Sequence, residues 1–86
     1  PVLLLTRNSV IPYLGEVTIA PITSTIRGIP TEVLLNVGDS MPRECAINLD
    51  HIQTVPQSRV GPLIAKLSSA RWGDVHSALL FALGFS

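Results

Sequence analysis

Three consecutive hydroxyl side chains followed by an arginine form the part of this sequence best suited to chemistry. Thr23, Ser24 and Thr25 end an apolar segment, and Arg27 stands two positions after them. Threonine favours strands and serine favours turns, so the hydroxyls alone would be ordinary strand-end residues. Together with a planar, forked guanidinium they supply the neutral and charged donors that hold a phosphate group. The combination therefore predicts a phosphate contact at the end of a strand.

The other residues whose side chains could take part in catalysis or binding occur in less specific patterns. His51 and His76 titrate near neutral pH, as an acid–base pair must, but nothing around them in the sequence supports catalysis. Cys45 lies in a predicted buried strand and is expected to be inert, and the absence of companions at ligand spacing argues against a metal site. Asn48 and Asp50 alternate along the same segment and either line a groove or form a polar outer face, of which the polar face is favoured. No glycine-rich phosphate loop occurs, and no cofactor is expected.

Length and composition predict one small globular domain. The chain has 86 residues, 47% of them hydrophobic, with six basic and six acidic residues. A net charge of zero argues against a broad nucleic-acid-binding surface but leaves room for a local basic groove. The single cysteine favours a reducing, cytoplasmic setting. The longest apolar runs, Val2–Leu5 and Ala78–Leu83, fall far short of the roughly 20 residues that span a bilayer, so no membrane association is expected.

Hydrophobic patterning predicts five short strands. The predicted segments are Val2–Thr6, Glu16–Thr23, Thr31–Val37, Glu44–Val55 and Gly61–Leu67. The first is continuously apolar and is predicted to be buried, and Val37 is predicted to face the core. In the fourth, the phase of the apolar residues changes near Asp50–His51, which predicts a bulge. Pro21 lacks a backbone donor and is therefore expected at an edge or a bulge of the second strand.

A single helix is predicted at the end of the chain. Ser68 or Ser69 caps it, and Gly84 fits the position that ends it. Its apolar stripe at helical spacing comprises Trp72, Val75, Leu79, Ala82 and Leu83, with Trp72 interpreted as a core residue. Five strands with short turns and one terminal helix predict a mainly β fold, a small and strongly bent barrel or sandwich with the helix on its side.

Four segments, covering nearly the whole chain, resemble the MazF/PemK-type toxins of bacterial toxin–antitoxin pairs: PVLLLTRN, TIAPITSTIRGIPTEV, PRECAINLDHIQTV and LSSARWGDVHSALLFALG. The resemblance implies a compact SH3-like (CcdB/PemK-like) β-barrel with a C-terminal helix that acts as a homodimer. It implies a sequence-specific endoribonuclease that cleaves single-stranded RNA without metal and inhibits growth or translation. In the implied reaction the ribose 2′-hydroxyl attacks the adjacent phosphate, leaving a cyclic phosphate and a 5′-hydroxyl.

The resemblance also assigns roles to residues. The catalytic hydroxyl of the family aligns with Thr23 or its neighbour Ser24, and Thr23 is favoured. Ser24, Thr25 and Arg27 are expected to contact RNA phosphates, and Tyr13 to stack on bases. The family's catalytic arginine would stand immediately before Pro1, after a further strand and loop. Residues 1–86 are therefore expected to form one toxin domain whose N-terminal strand is missing.

Two other functions fit a small barrel of this kind. One is a non-enzymatic toxin that binds a topoisomerase subunit, which an exposed C-terminal surface containing Trp72 would favour. The other is an SH3-like module for extended peptides, which needs more aromatic residues than this chain has. For the toxin, the expected partner is a cognate antitoxin whose disordered, partly acidic tail folds as it wraps the RNA groove.

Overall fold

The computed structural model of the chain describes residues 1–85 and has the predicted mainly β architecture with one C-terminal helix. The elements of the described residues are β1 (Val2–Leu4), β2 (Glu16–Thr23), β3 (Glu32–Leu35), β4 (Cys45–Asn48), β5 (Gln53–Pro56) and α1 (Ser69–Ala82). All strand pairs are antiparallel. The bounds predicted for the second strand and for the start of the helix agree with β2 and α1. Within residues 1–85 no helix is long and apolar enough to cross a membrane.

Strand β2 is the centre of the sheet. It pairs with β1 along one edge, and along the other its first half pairs with β5 and its last two residues pair with β4. Strand β3 then pairs with β4, so the order is β1-β2-β4-β3. In the part of the chain that the structure describes, β1 and β3 do not meet, and the sheet is open where a closed barrel was expected. β2 therefore fixes the relative positions of all other strands.

The predicted fourth strand, Glu44–Val55, is in fact two strands. Residues Leu49–His51 form a 3-10 turn between β4 and β5, and the side-chain oxygen of Asn48 accepts a hydrogen bond from the Asp50 amide at 2.9 Å. A full turn stands where the phase change predicted only a bulge. The turn also accommodates Pro21 of β2. The amide of the next residue, Ile22, points towards β1, so the nitrogen of Pro21 faces the turn, where no ladder donor is needed.

Three further predictions about strands are wrong. Residues 61–67 form no strand, and Leu63 and Ile64 are 75% and 76% exposed. Pro62 removes a donor there, and no neighbouring strand pairs with this segment. The third strand ends at Leu35, because the Asn36 side chain accepts from the Gly38 amide at 2.7 Å and starts a 3-10 turn. Val37 is consequently 73% exposed and does not face the core, and Val2, predicted to be buried, is 43% exposed.

The core lies between one face of the sheet and α1. It contains Ala20, Val33, Leu35, Cys45, Ile47, Leu49, Val75 and Ala78. The predicted helix stripe is rotated: Val75 and Ala78 are the buried helix residues, while Trp72 is 40% exposed and is not a core residue. Leu83 is likewise exposed, since the helix has ended there.

Both ends of α1 are capped. The Ser68 hydroxyl accepts from the Arg71 amide at 3.4 Å, as the N-cap pattern predicted. At the other end, Gly84 adopts a φ of +81°, and its amide donates to Phe81 while that of Phe85 donates to Leu80. These two hydrogen bonds form a Schellman motif, which ends the helix at the predicted glycine.

An ion pair attaches α1 to the turn that follows β3. The Arg71 guanidinium donates to both carboxylate oxygens of Asp39, at 2.9 and 3.2 Å, and to Asp74 at 3.2 Å. The Asn36 amide also donates to Asp39. The Arg71 side chain and then the Asn36 amide lower the pKa of Asp39, while Asp39 raises that of Arg71. Neither the aspartate nor the arginine was singled out by sequence analysis, because their separation of 32 residues leaves no local signal.

Candidate functional site

The candidate site begins at the carboxyl end of β2, where Thr23 is the last residue of the strand. Thr23 pairs with Ala46 of β4, and the preceding Ile22 pairs with the fully buried Ile47. Because neighbours along a strand point to opposite faces, Thr23 lies on the sheet face away from α1. On that face its cross-strand neighbours are Ala46, which is fully buried, and then Leu34 of β3, which is 52% exposed. The Thr23 side chain is thus carried by a paired strand and is half-buried, directly before the exposed Ser24.

A local hydrogen bond fixes the hydroxyl of Thr23. The amide of Thr25 donates to Thr23 Oγ1 at 3.1 Å, which closes a small turn directly after the strand. With one lone pair engaged, the hydroxyl keeps its own hydrogen for donation to a ligand. A donor that already accepts a hydrogen bond is polarised and becomes a stronger donor. Ser24 and Thr25 lie in the turn itself and are exposed.

Arg27 lies in the loop after β2 and places an exposed cation two residues after the last of the hydroxyls. Its side chain is exposed, and among residues 1–85 its guanidinium has no hydrogen-bond or ion-pair partner. Its backbone is held differently: the amides of Arg27 and Gly28 both donate to Oε1 of Glu32, each at 3.0 Å. Gly28 has a φ of +67°, a left-handed conformation that favours glycine. Thr23 at the end of β2 and Ser24, Thr25 and Arg27 in the loop after it therefore lie in one continuous segment.

Tyr13 is not brought to this loop. It ends a 3-10 turn, Ile11–Tyr13, just before β2 begins, and it is 84% exposed. Thr23 is at the opposite end of β2, whose 8 residues extend over about 23 Å. A ligand that contacts both residues of one chain must run along the strand.

Three other residues considered from the sequence, Asn48, Asp50 and Cys45, lie in β4 or in the turn after it. Asn48 is buried and Asp50 lies in the turn after β4, so they do not form the polar outer face that was expected. Instead, Asp50 accepts a hydrogen bond from the Thr31 hydroxyl at 2.6 Å. Cys45 is buried in β4, and desolvation raises the pKa of its thiol, which keeps it in the unreactive form.

The two histidines lie at exposed positions, at the end of the turn after β4 for His51 and on α1 for His76. Within residues 1–85, no group of three or more histidine, cysteine, aspartate or glutamate side chains lies close enough to hold a metal ion. The structure adds Glu32 to the site, a residue that the sequence analysis did not single out. The one sequence signal that could have pointed to it is an acidic residue four positions after a turn glycine, at the start of a strand.

Comparison with known proteins identifies the family. The model of the PemK-like, MazF-like toxins of type II toxin–antitoxin systems matches residues 1–83. The chain belongs to this family. Among curated MazF relatives, a probable endoribonuclease, MazF5, of Mycobacterium tuberculosis is 37% identical over 87 residues, which cover 100% of this chain and 80% of that protein.

Solved structures of a MazF toxin and of an endoribonuclease share the fold. The toxin MazF-mt6 of Mycobacterium tuberculosis superposes with a TM-score of 0.95 at 35% identity, covering 100% of this chain and 87% of the other. An endoribonuclease in complex with its cognate antitoxin, from a mycobacterial species, superposes with a TM-score of 0.87 at 27% identity, covering 100% of this chain and 82% of the other. These matches confirm the family resemblance that was stated from the sequence.

Proposed function

We propose that this chain is a sequence-specific endoribonuclease toxin of a type II toxin–antitoxin system, with single-stranded RNA as its substrate. The observation that carries the proposal is the Thr23 hydroxyl, fixed by the Thr25 amide at 3.1 Å and lying in one loop with the exposed Arg27. Family membership and the endoribonuclease name of the MazF5 relative support the same activity. By cleaving cellular RNA, the toxin inhibits translation and growth.

The proposed reaction is an internal transesterification that uses no metal. A general base takes the proton of a ribose 2′-hydroxyl, the 2′-oxygen attacks the adjacent phosphorus, and the bond from phosphorus to the 5′-oxygen breaks. The products are a 2′,3′-cyclic phosphate and a 5′-hydroxyl, which takes up a proton as it leaves. In the transition state the phosphate gains negative charge, so donors aimed at its oxygens accelerate the reaction.

The roles of the site residues follow from their chemistry. Thr23 donates its hydroxyl hydrogen to a non-bridging phosphate oxygen, and the Arg27 guanidinium offsets the added charge. Ser24 and Thr25 supply further donors along the RNA backbone. A guanidinium has a pKa above about 12, so arginine serves as an electrostatic group, and the general base is a different group. Tyr13, at the far end of β2, is proposed to stack on a base of RNA that runs along the strand.

A second cation is proposed opposite Thr23. The Pro1 carbonyl accepts a hydrogen bond from the Ile22 amide at 3.0 Å, which continues the register in which Val2 pairs with Pro21. Extended by one position, this register sets the residue before Pro1 opposite Thr23. An arginine there, as the family resemblance implies, would flank the same phosphate as the hydroxyl.

The proposed complete fold is a single domain with an SH3-like barrel, in which a further N-terminal strand pairs with the open edge of β1. Among the described residues β1 pairs with β2 alone, so its other edge is free, which supports the proposal. The proposed assembly is a homodimer in the cytoplasm, inhibited by a cognate antitoxin. The mycobacterial endoribonuclease solved in complex with its antitoxin supports the last point.

The decisive experiment is cleavage of a labelled single-stranded RNA in the presence of a chelator. The intact protein is expected to cleave, and Thr23→Ala is expected to lower kcat by about 100-fold or more. Thr54→Ala, which alters an exposed threonine in β5, is the matched control and keeps full activity. Cleavage by Thr23→Ala at the rate of the control would remove Thr23 from the mechanism.

A non-enzymatic toxin that binds a topoisomerase subunit is the second candidate. The 40% exposure of Trp72 on α1 is the observation that favours it. RNA cleavage and the effect of Trp72→Ala distinguish the two candidates. A topoisomerase-directed toxin leaves RNA intact at all protein concentrations and no longer binds its partner after Trp72→Ala. The endoribonuclease cleaves RNA with or without the tryptophan.

A further inference from the structure

Glu32 connects the candidate site to the rigid sheet. It is the first residue of β3, and one of its carboxylate oxygens, Oε1, accepts the amide hydrogens of both Arg27 and Gly28 at 3.0 Å. Two successive amides converging on one oxygen form the kind of concavity that binds anions. In this chain the anion is an internal carboxylate. Any phosphate contact from this loop must therefore come from side chains and not from these amides.

The backbone at Glu32 is held by strand pairing and by hydrogen bonds. Glu32 pairs with Asn48 of β4, and its own amide donates to the Ile29 carbonyl at 3.0 Å. The neighbouring Thr31 carbonyl accepts from the amide of Leu49 at 2.9 Å. The start of β3 is thus tied both to the loop and to the turn after β4, so the backbone that carries the carboxylate is held by the sheet as well as by the loop.

The two ends of the loop are fixed by different contacts. At its start, Thr25 is bound to the Thr23 hydroxyl, and at its end, Arg27 and Gly28 are bound to Glu32. A single exposed residue, Ile26, separates these anchors, and it belongs to no helix or strand. Without the carboxylate, the second anchor is lost and the backbone that carries the Arg27 guanidinium is free to move away from the Thr23 hydroxyl.

The position of the Glu32 carboxylate is unfavourable for one of its two oxygens. Its second oxygen, Oε2, is buried and has no hydrogen-bond partner among the described residues. A buried polar atom without a partner is destabilising, so stability alone does not favour a glutamate here. A charged acceptor, however, binds two amide donors more strongly than a neutral one does.

We propose that Glu32 is a positioning residue, which holds the Arg27 guanidinium at the phosphate by binding the amides of Arg27 and Gly28. The proposal rests on the proposed function, since it assigns Arg27 to the phosphate of an RNA substrate. Glu32 itself does not touch the substrate.

The first test is amide hydrogen exchange of Arg27 and Gly28, measured by NMR in the intact protein. In Glu32→Ala both amides are expected to exchange at least about tenfold faster, because they lose a charge-assisted acceptor. Glu32→Gln keeps a carbonyl acceptor, so its exchange rates lie between those of the wild type and of Glu32→Ala. Glu44→Ala removes the same charge from an exposed position before β4 and is expected to leave both amides unchanged. Equal exchange in Glu32→Ala and Glu44→Ala overturns the proposal.

The second test asks whether Glu32 acts through Arg27. For RNA cleavage by the folded fraction, Glu32→Ala is expected to lower kcat about tenfold with a smaller change in KM, and Glu32→Gln to restore most of the rate. In a double-mutant cycle, Glu32→Ala adds nothing to a chain that already carries Arg27→Ala. A full tenfold loss in that background shows an effect that bypasses Arg27 and overturns the proposal.

The two tests separate failure of this inference from failure of the proposed function. If the wild-type protein does not cleave RNA, the proposed function fails, and the exchange rates alone decide whether Glu32 holds the loop. Thermal unfolding of each variant gives its folded fraction. Where Glu32→Ala does not fold, the comparison of Glu32→Gln with Glu44→Ala supplies both readouts.

Discussion

Replacing the two glycines Gly28 and Gly73 by alanine should change stability in opposite directions. Apart from the chain neighbours and, at Gly73, the nearby backbone of the helix itself, neither position has an atom within 4 Å of where an alanine Cβ would lie, so the substitutions create no steric conflict. Gly28 has a φ of +67°, and placing a Cβ in this conformation costs about 1–2 kcal/mol. Gly73 lies inside α1, where alanine is favoured over glycine by about 0.5–1 kcal/mol. Because of backbone conformation alone, the free energies of unfolding of the two variants should therefore differ by about 2 kcal/mol.

Urea unfolding at a fixed protein concentration measures this difference. The signal can come from circular dichroism or from the fluorescence of Trp72, the single tryptophan. For a domain of this size, each kcal/mol corresponds to a shift in Tm of about 4–8 °C. Gly61→Ala is the control, since that glycine has neither a positive φ nor a close neighbour, and its substitution should stay within about 0.5 kcal/mol of the wild type.

The reasoning would be refuted if Gly28→Ala were as stable as Gly61→Ala. That result would mean that the loop readily adopts another backbone conformation, in which case the Glu32 carboxylate does not hold it. A destabilised Gly73→Ala would instead show that the exposed face of α1 at this position contacts another part of the assembly.

Three further outcomes are expected. Arg71 lowers the pKa of Asp39, so this aspartate contributes stability that is present above its unfolded pKa near 3.8 and is lost as the pH falls through the lower folded pKa. Urea midpoints between pH 6 and pH 2.5 should therefore fall less steeply for Asp39→Asn than for the wild type, and equal slopes would contradict the ion pair. Ile47→Val removes one methyl group from a fully buried side chain and should cost about 1 kcal/mol in the same unfolding assay, whereas no loss would mean that the core repacks. Arg27→Ala should weaken binding of single-stranded RNA and reduce its salt dependence, measured by fluorescence anisotropy at several salt concentrations, and an unchanged salt slope would exclude a phosphate contact.

Local sequence signals predicted the parts of the fold that depend on local contacts. The bounds of β2 follow from its alternating residues, and the ends of α1 follow from a capping serine and a terminating glycine. The break in the predicted fourth strand was located correctly at Asp50–His51, because a change of phase is visible along the sequence. That the break is a 3-10 turn depends on the Asn48 side chain binding a nearby amide, which residue spacing does not reveal.

The wrong predictions concern segments whose structure depends on distant partners. Residues 61–67 have strand-like composition, but a strand also needs a neighbour, and none pairs with them. Trp72 was interpreted as core because it fits the helical spacing, whereas the rotation of α1 on the sheet is set by the packing of Val75 and Ala78. At the candidate site, the sequence predicted that the hydroxyls and Arg27 share a loop. The role of Glu32 depends on hydrogen-bond geometry across the loop and could only come from the structure.

The burial of Cys45 makes the chain convenient for site-directed labelling. The thiol is 5% exposed and is the only one in the sequence, so maleimide and similar reagents will not modify it while the sheet is intact. A cysteine introduced at the exposed Ser24 could therefore carry a fluorophore selectively, beside the proposed RNA-binding loop. In the unlabelled protein, the slow reaction of Cys45 itself would time the opening of β4, and binding of RNA or an antitoxin would lengthen that time.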